Sequence, residues 1–273
     1  MTSIAVLGAG KMGEALLAGL LKAGQPDDRL CFTERVPERA RVVAERYGVR
    51  RVEVAEAAEL ADVLVVAVKP GDVDPLLAAL RPVLGARPLG QPLLVSLCAG
   101  LSTLFFEGRL PEGVPVVRVM PNTPMLVGQA MSVISGGRHV DDRHLDQVTM
   151  ILGAVGRVAR VPEAQQDAVT ALSGTGPAYV YYLVEAMIDA GVLLGLSRPL
   201  ATELATQTAL GAAHMLAESG DHPVVLREAV TSPGGTTAAA VRELDKLGAK
   251  AAFTAAIEAA RDRSVELGLR NRK

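Results

Sequence analysis

Three glycines within six residues, Gly8, Gly10 and Gly13 of GAGKMG, separate a branched-aliphatic run at residues 4–7 from a stretch, residues 11–23, that sets Leu16, Leu17, Leu20 and Leu21 on one face. Strand, glycine turn and helix in that order leave the backbone little choice. The first glycine permits the tight turn, the second lets backbone approach a pyrophosphate, and the third brings helix against strand. The helix N-terminus then meets the phosphate charge. Lys11 and Met12 lie inside this turn and are expected to touch a dinucleotide together with the glycines.

Similar apolar runs recur at residues 30–33, 63–68, 93–97, 116–120, 131–135 and 158–161, with helical patterns between them. Such alternation implies an α/β fold with a largely parallel sheet, so residues 1–161 read as a Rossmann NAD(P)-binding domain. Ligands of such sheets gather at the carboxyl ends of the strands. The second run ends in Thr33-Glu34-Arg35, and Glu34 stands 21 positions after Gly13, near the spacing at which a carboxylate takes the ribose hydroxyl of NAD. Arg35, with Arg39 one turn further on, offers the opposite attraction to a 2′-phosphate. NADH and NADPH therefore both stay open, as does a plain solvated pair. The third run ends in AVKP, residues Ala67, Val68, Lys69 and Pro70, which sets Lys69 at the cofactor. A later run enters MPNTP, where two prolines stiffen a loop around Asn122 and Thr123. Asn122 either bonds the nicotinamide side of the cofactor or caps local backbone.

Net charge is −2, both signs are interspersed, and the basic footprint of a nucleic-acid binder is missing. Cys31 and Cys98 are far apart and read as core thiols, while His139, His144, His214 and His222 are scattered, so no metal is expected. The N-terminus enters its apolar run without a charged leader, which reads as a cytoplasmic address. Residues 179–196 form the most apolar later stretch but include Glu185 and Asp189, costly in lipid; a core helix, not a membrane span, is expected.

From Pro162 onward the strand pattern stops, and residues 162–273 read as a second, all-helical domain. Ser197-Arg198-Pro199 has the form of an N-cap with proline in the first turn, opening a helix to about Glu218. Hydrophobic residues make up 49% of the chain, without tryptophan, and Ala205, Ala209, Ala212 and Ala213 help make this helix apolar on several faces. Helices of that kind need partners on both sides, so a homodimer is expected. Two loops interrupt the helices. TSPGGTT, residues 231–237, combines Pro233, the freed backbone of Gly234 and Gly235, and the hydroxyls of Ser232, Thr236 and Thr237 ahead of a helix. It suits a small carboxylate, or it is an inter-helix turn capped by Thr236 or Thr237. SGTGPAY, from Ser173 to Tyr179, has the same character.

VLGAGKMGEALLAGL, AVKP, MPNTP, SGTGPAY and TSPGGTT with its Ala-rich helix, in this order, resemble the pyrroline-5-carboxylate reductase family over nearly the whole chain. The resemblance implies a helical domain that dimerises, in places as rings of dimers. It implies reduction of a small molecule, 1-pyrroline-5-carboxylate, to proline by NADPH or NADH, the last step of proline biosynthesis. The substrate carboxylate would rest on backbone from Ser232 through Gly234 and Gly235 to Thr236, with the Thr237 hydroxyl at the ring nitrogen as the catalytic contact and Ser173 nearby. Glu34 departs from many members of the family and leaves the cofactor preference open. A 3-hydroxyacid dehydrogenase would need a helix-borne lysine, which the first half of the helical domain lacks. A nucleotide sensor would have no use for the two loops.

Overall fold

The computed structural model describes residues 2–87 and 90–270. Eight strands form one sheet: β1 (Ile4–Leu7), β2 (Leu30–Thr33), β3 (Arg50–Arg51), β4 (Val63–Val66), β5 (Leu93–Ser96), β6 (Val116–Met120), β7 (Ala130–Gly136) and β8 (Gly156–Arg160). Their order is β3-β2-β1-β4-β5-β6-β7-β8. Every pair is parallel except β6 with β7. Residues 121–129, which join that pair, are too few for the dozen or so that a parallel crossover needs.

Side chains alternate between two cores. Val6, Val65, Val95 and Val117 point to one face, and Leu7, Val66, Leu94 and Val116 to the other. Both faces are covered, so the strands are apolar throughout, which is why they were readable. The exceptions are the two edge strands: β3, two exposed arginines beside β2, and β8, which has no buried residue and carries the exposed Arg157 and Arg160. Strand order reverses at β1, with β2 on one side and β4 on the other. The carboxyl ends of these three strands form the crevice in which ligands of open α/β sheets bind.

The expected break at 161/162 is displaced. One compact unit runs through Thr175 and takes up the chain again from Ala260; the other spans Gly176–Ala259. Two contacts account for this. Fully buried Gln166 donates its amide to the Val133 carbonyl (3.2 Å) and to Ser135 Oγ (2.8 Å), tying residues after 161 to β7. Buried Ser264 donates to Asp167 at 2.7 Å, which brings the end of the last helix, Ala249–Arg270, into the same unit.

The second unit is helical: Gly176–Leu193, Arg198–Ser219, Pro223–Ala229, Thr236–Lys246 and the first part of the last helix. Ser197 caps as expected, its hydroxyl accepting the Leu200 N–H. The first two helices meet through small residues, since an added Cβ on Gly191 would stand 3.0 Å from the Ala201 Cβ. The core-helix expectation for residues 179–196 fails within one chain. No residue of Gly176–Leu193 is buried, and Tyr182 is 75% exposed. Among the described residues no helix is long and apolar enough to cross a membrane.

In the first unit, Glu14 fastens helix Lys11–Lys22 to helix Pro37–Tyr47. It pairs with Arg39 and, at 2.8 Å, with Arg46, and accepts the Tyr47 hydroxyl at 3.0 Å. Burial pushes its carboxyl upward, but hydrogen bonds from Arg39 and Tyr47 and the charges of Arg39 and Arg46 outweigh that and hold it below the ordinary carboxylate value. A depressed folded-state value adds stability above the unfolded value and loses it as pH falls through the folded one. Glu14→Gln is therefore expected to cost about 1.5–3 kcal/mol near neutrality. Urea unfolding at neutral pH and at about pH 3 checks this: the gap to wild type should narrow in acid, and a constant gap would contradict it.

Candidate functional site

Gly8, Gly10, Glu34, Arg35, Ala67, Val68 and Lys69, all singled out in the sequence, line one cleft of about 400 Å³ at the carboxyl ends of β1, β2 and β4. The three loop glycines have different reasons for being glycine. Gly8 has φ +104°, and an added Cβ would stand 2.8 Å from Val68 Cγ1. At Gly13 it would stand 2.0 Å from the Gly8 carbonyl oxygen. Gly10 has an ordinary backbone, φ −67° and ψ −174°, and a Cβ there would meet nothing within 4 Å. Nothing inside the protein demands glycine at 10, which lines the cleft and leaves its backbone open to a group there. The first helical hydrogen bond joins Glu14 N–H to the Gly10 carbonyl at 2.8 Å, which leaves the N–H groups of Lys11, Met12 and Gly13 outside the helical ladder. A pyrophosphate fits this arrangement. Met12 itself packs against the core and Gly13 is buried, so their side of the contact is backbone.

The charged residues at the end of β2 are arranged more tightly than the sequence suggested. Glu34 accepts the Ala9 N–H at 3.2 Å with one oxygen and the Val36 N–H at 3.0 Å with the other. Arg39 is not free for a phosphate. It donates to the Ala9 carbonyl at 3.0 Å and pairs with Glu14, beneath the glycine turn. Arg35 pairs with Asp72 at 2.8 Å. Asp72 also lines the cleft and was missed, although it lies only three residues beyond Lys69 at the same strand end. Pro70 opens the short turn Pro70–Asp72 that carries it.

Of the two roles open to Asn122, the structure shows the backbone one. Its carbonyl oxygen accepts the Met131 N–H at 2.9 Å, and its amide donates to the Ser173 carbonyl at 3.1 Å. MPNTP and SGTG therefore meet. Thr170–Gly174 is a wide π-type turn, and an added Cβ on Gly174 would stand 2.4 Å from Met120 Cε. Turns of this type recur at functional sites because they free backbone groups. The Ser173 hydroxyl donates back to the Val169 carbonyl at 3.1 Å.

In the second unit, helix Thr236–Lys246 begins with Gly235 as its N-cap and without a side-chain cap. Neither Thr236 nor Thr237 caps it, which overturns that reading of the loop: they stand inside the helix, one and two residues past the N-cap. The glycines have internal reasons. Gly234 has φ +69°, and a Cβ on Gly235 would stand 2.4 Å from Ser232 Oγ. Among the described residues, the hydroxyls of Ser232, Thr236 and Thr237 have no hydrogen-bond partner. An eleven-residue helix thus presents its N-terminus beside three hydroxyls that no protein group engages among the described residues.

Neither thiol is placed for chemistry. Burial raises Cys98 to about 11, and its thiol donates to the Val68 carbonyl at 3.3 Å; Cys31 is raised by burial as well. Among the described residues no group of three or more His, Cys, Asp or Glu could hold a metal ion.

The contrast between Gly10 and Gly13 is testable. Gly10→Ala should cost under ~1 kcal/mol of stability, a weakened helix cap. It should weaken NADH and NADPH binding by about 10- to 100-fold through lost charge-assisted backbone hydrogen bonds. Gly13→Ala should lower both. Melting temperature and nucleotide affinity, measured together, check this; unchanged affinity in Gly10→Ala would contradict it.

Residues 163–267 match the family described as pyrroline-5-carboxylate reductase dimerisation, and residues 3–100 match the family described as NADP oxidoreductase, coenzyme F420-dependent. The pyrroline-5-carboxylate reductase of Mycobacterium tuberculosis is 46% identical, the alignment covering 98% of this chain and 97% of that one. Pyrroline-5-carboxylate reductase 1 of Bacillus subtilis is 38% identical over 97% of this chain and 89% of its own. The solved Coxiella burnetii pyrroline-5-carboxylate reductase superposes with a TM-score of 0.92 at 35% identity, covering 97% of this chain and 98% of that one. The Plasmodium falciparum pyrroline carboxylate reductase, solved with NADP bound, does so at 0.85 and 32%, covering 98% of each. A glycine turn open to a pyrophosphate, a helical half whose glycine loop opens a helix without a side-chain cap, and identities of 46% and 38% over nearly the whole chain place this chain in the pyrroline-5-carboxylate reductase family.

Proposed function

We propose that this chain reduces 1-pyrroline-5-carboxylate to L-proline with NADH or NADPH, the closing step of proline biosynthesis. The observation that carries the reading is the loop at residues 231–237, whose three hydroxyls have no partner among the described residues and which stands at the start of an eleven-residue helix. It suits a small carboxylate, and the relatives at 46% and 38% identity over nearly the whole chain bear that enzyme's name. Backbone and hydroxyls from Ser232 to Thr236 take the carboxylate. Thr237 presents its hydroxyl to the ring nitrogen.

When bound in the cleft, the reduced nicotinamide supplies the hydride, which passes to the imine carbon. An imine protonates readily in water, so the electrophile arrives as an iminium and no strong acid is asked of the protein. The chain's contribution is orientation and exclusion of water, of which orientation is worth roughly 7–11 kcal/mol at best. Addition of 1-pyrroline-5-carboxylate should oxidise reduced nicotinamide, whereas 3-hydroxy acids should reduce none of the oxidised form. The opposite pattern would overturn the reading.

The exposed apolar helices of the second unit, together with the dimerisation-family match, support a homodimer as the smallest stable species. A ring of dimers is compatible with the same surfaces. Light scattering at nanomolar concentration should show no folded, active monomer.

Thr237→Val keeps side-chain shape and removes the hydroxyl. Loss of a partner to a charged nitrogen should lower kcat/KM by about ten- to a hundredfold, or roughly 1.5–3 kcal/mol. Cofactor affinity and melting temperature should stay near wild type, because Thr237 caps nothing. Wild-type kcat/KM in this variant would remove Thr237 from the reaction.

A further inference from the structure

Resting on the reading of the cleft as a nicotinamide-dinucleotide site, we infer that Asp72 sets the choice between NADH and NADPH by holding Arg35 across the adenosine end. Arg35 follows β2, and Asp72 lies in the turn after β4, so their ion pair of 2.8 Å bridges the two strands that flank β1 and its glycine turn. Both residues line the cleft with Gly8 and Gly10. The Arg35 side chain is 78% exposed and Asp72 33%, so the arginine is the partner open to solvent and to an arriving ligand.

A 2′-phosphate is recognised by a cation that can turn to it. Arg39 cannot, being engaged by the Ala9 carbonyl and Glu14. Lys69 lines the cleft from the β4 side. Arg35 is the cation at the β2 end, beside Glu34, whose oxygens are fixed on the N–H groups of Ala9 and Val36. A 2′-phosphate arriving there must draw Arg35 from Asp72 and then lie near two carboxylates. A ribose 2′-hydroxyl meets neither penalty and can donate to Glu34. Asp72 therefore favours NADH, and its removal frees Arg35 for NADPH.

Calorimetric titration of the full-length protein with 2′,5′-ADP and 5′-AMP isolates the adenosine end from the hydride chemistry. Asp72→Asn should tighten 2′,5′-ADP relative to 5′-AMP by about tenfold, the scale of one near-solvent ion pair at 2.8 Å that no longer competes with the phosphate for Arg35. In an Arg35→Gln background the same substitution should change that ratio less than about twofold. The kcat/KM ratio for NADPH over NADH should move in the same direction as the fragments. An unchanged fragment ratio in Asp72→Asn, a gain that persists without Arg35, or failure of either nucleotide to bind any variant would each overturn the inference. The tenfold shift in a protein that leaves 1-pyrroline-5-carboxylate untouched would uphold the inference and defeat the proposed reaction instead.

Discussion

The approach of the first helix to the end of β1 is the constraint on which the nucleotide half depends. With a Cβ at residue 13 only 2.0 Å from the Gly8 carbonyl oxygen, helix and strand touch backbone to backbone. That contact directs the helix N-terminus into the cleft and leaves Ala9 at the apex of the turn, where Glu34 takes its N–H and Arg39 its carbonyl. Glu14 then locks Arg39. Two of the charges that look like ligand groups in the sequence are thus also structural. They hold the turn in the shape that makes Gly10 accessible, and what remains free to answer a ligand is correspondingly small.

Much of the first unit was legible because its strands are buried on both faces and read as unbroken apolar runs. The run at 116–120 ends where β6 ends, while 63–68 overruns β4 by two residues, since Ala67 and Val68 already belong to the cleft wall. What escaped reading depends on contacts between distant segments. Arg35 with Asp72, and Arg39 with Glu14, join residues 37 and 25 positions apart, and no local pattern encodes a partner at such a distance. The domain break moved for the same reason: Gln166 and Ser264 look unremarkable in sequence and are decisive only once β7 and Asp167 stand beside them.

The helical unit shows the reverse. Its glycines, prolines and the Ser197 cap were readable, but burial was not, because apolar composition does not say whether the covering surface belongs to the same chain. Helix Gly176–Leu193 has no buried residue within this one. The loop at 231–237 was ambiguous between a threonine-capped turn and a ligand site, and one backbone detail removes the threonine cap. With Gly235 as N-cap, the threonines fall inside the helix and their hydroxyls are left over.

The two halves suggest a division of labour in which the cofactor supplies the reactive bond and the protein supplies placement, without an acid of its own. The central claim is direct hydride transfer to the imine carbon. It is tested most directly with reduced nicotinamide deuterated at C4 on the transferred face, followed by mass and NMR analysis of the proline formed. The account predicts one deuterium at Cδ of proline for each nicotinamide oxidised, with none acquired there from solvent. Proline without deuterium at Cδ, or label washed out into water, would contradict it.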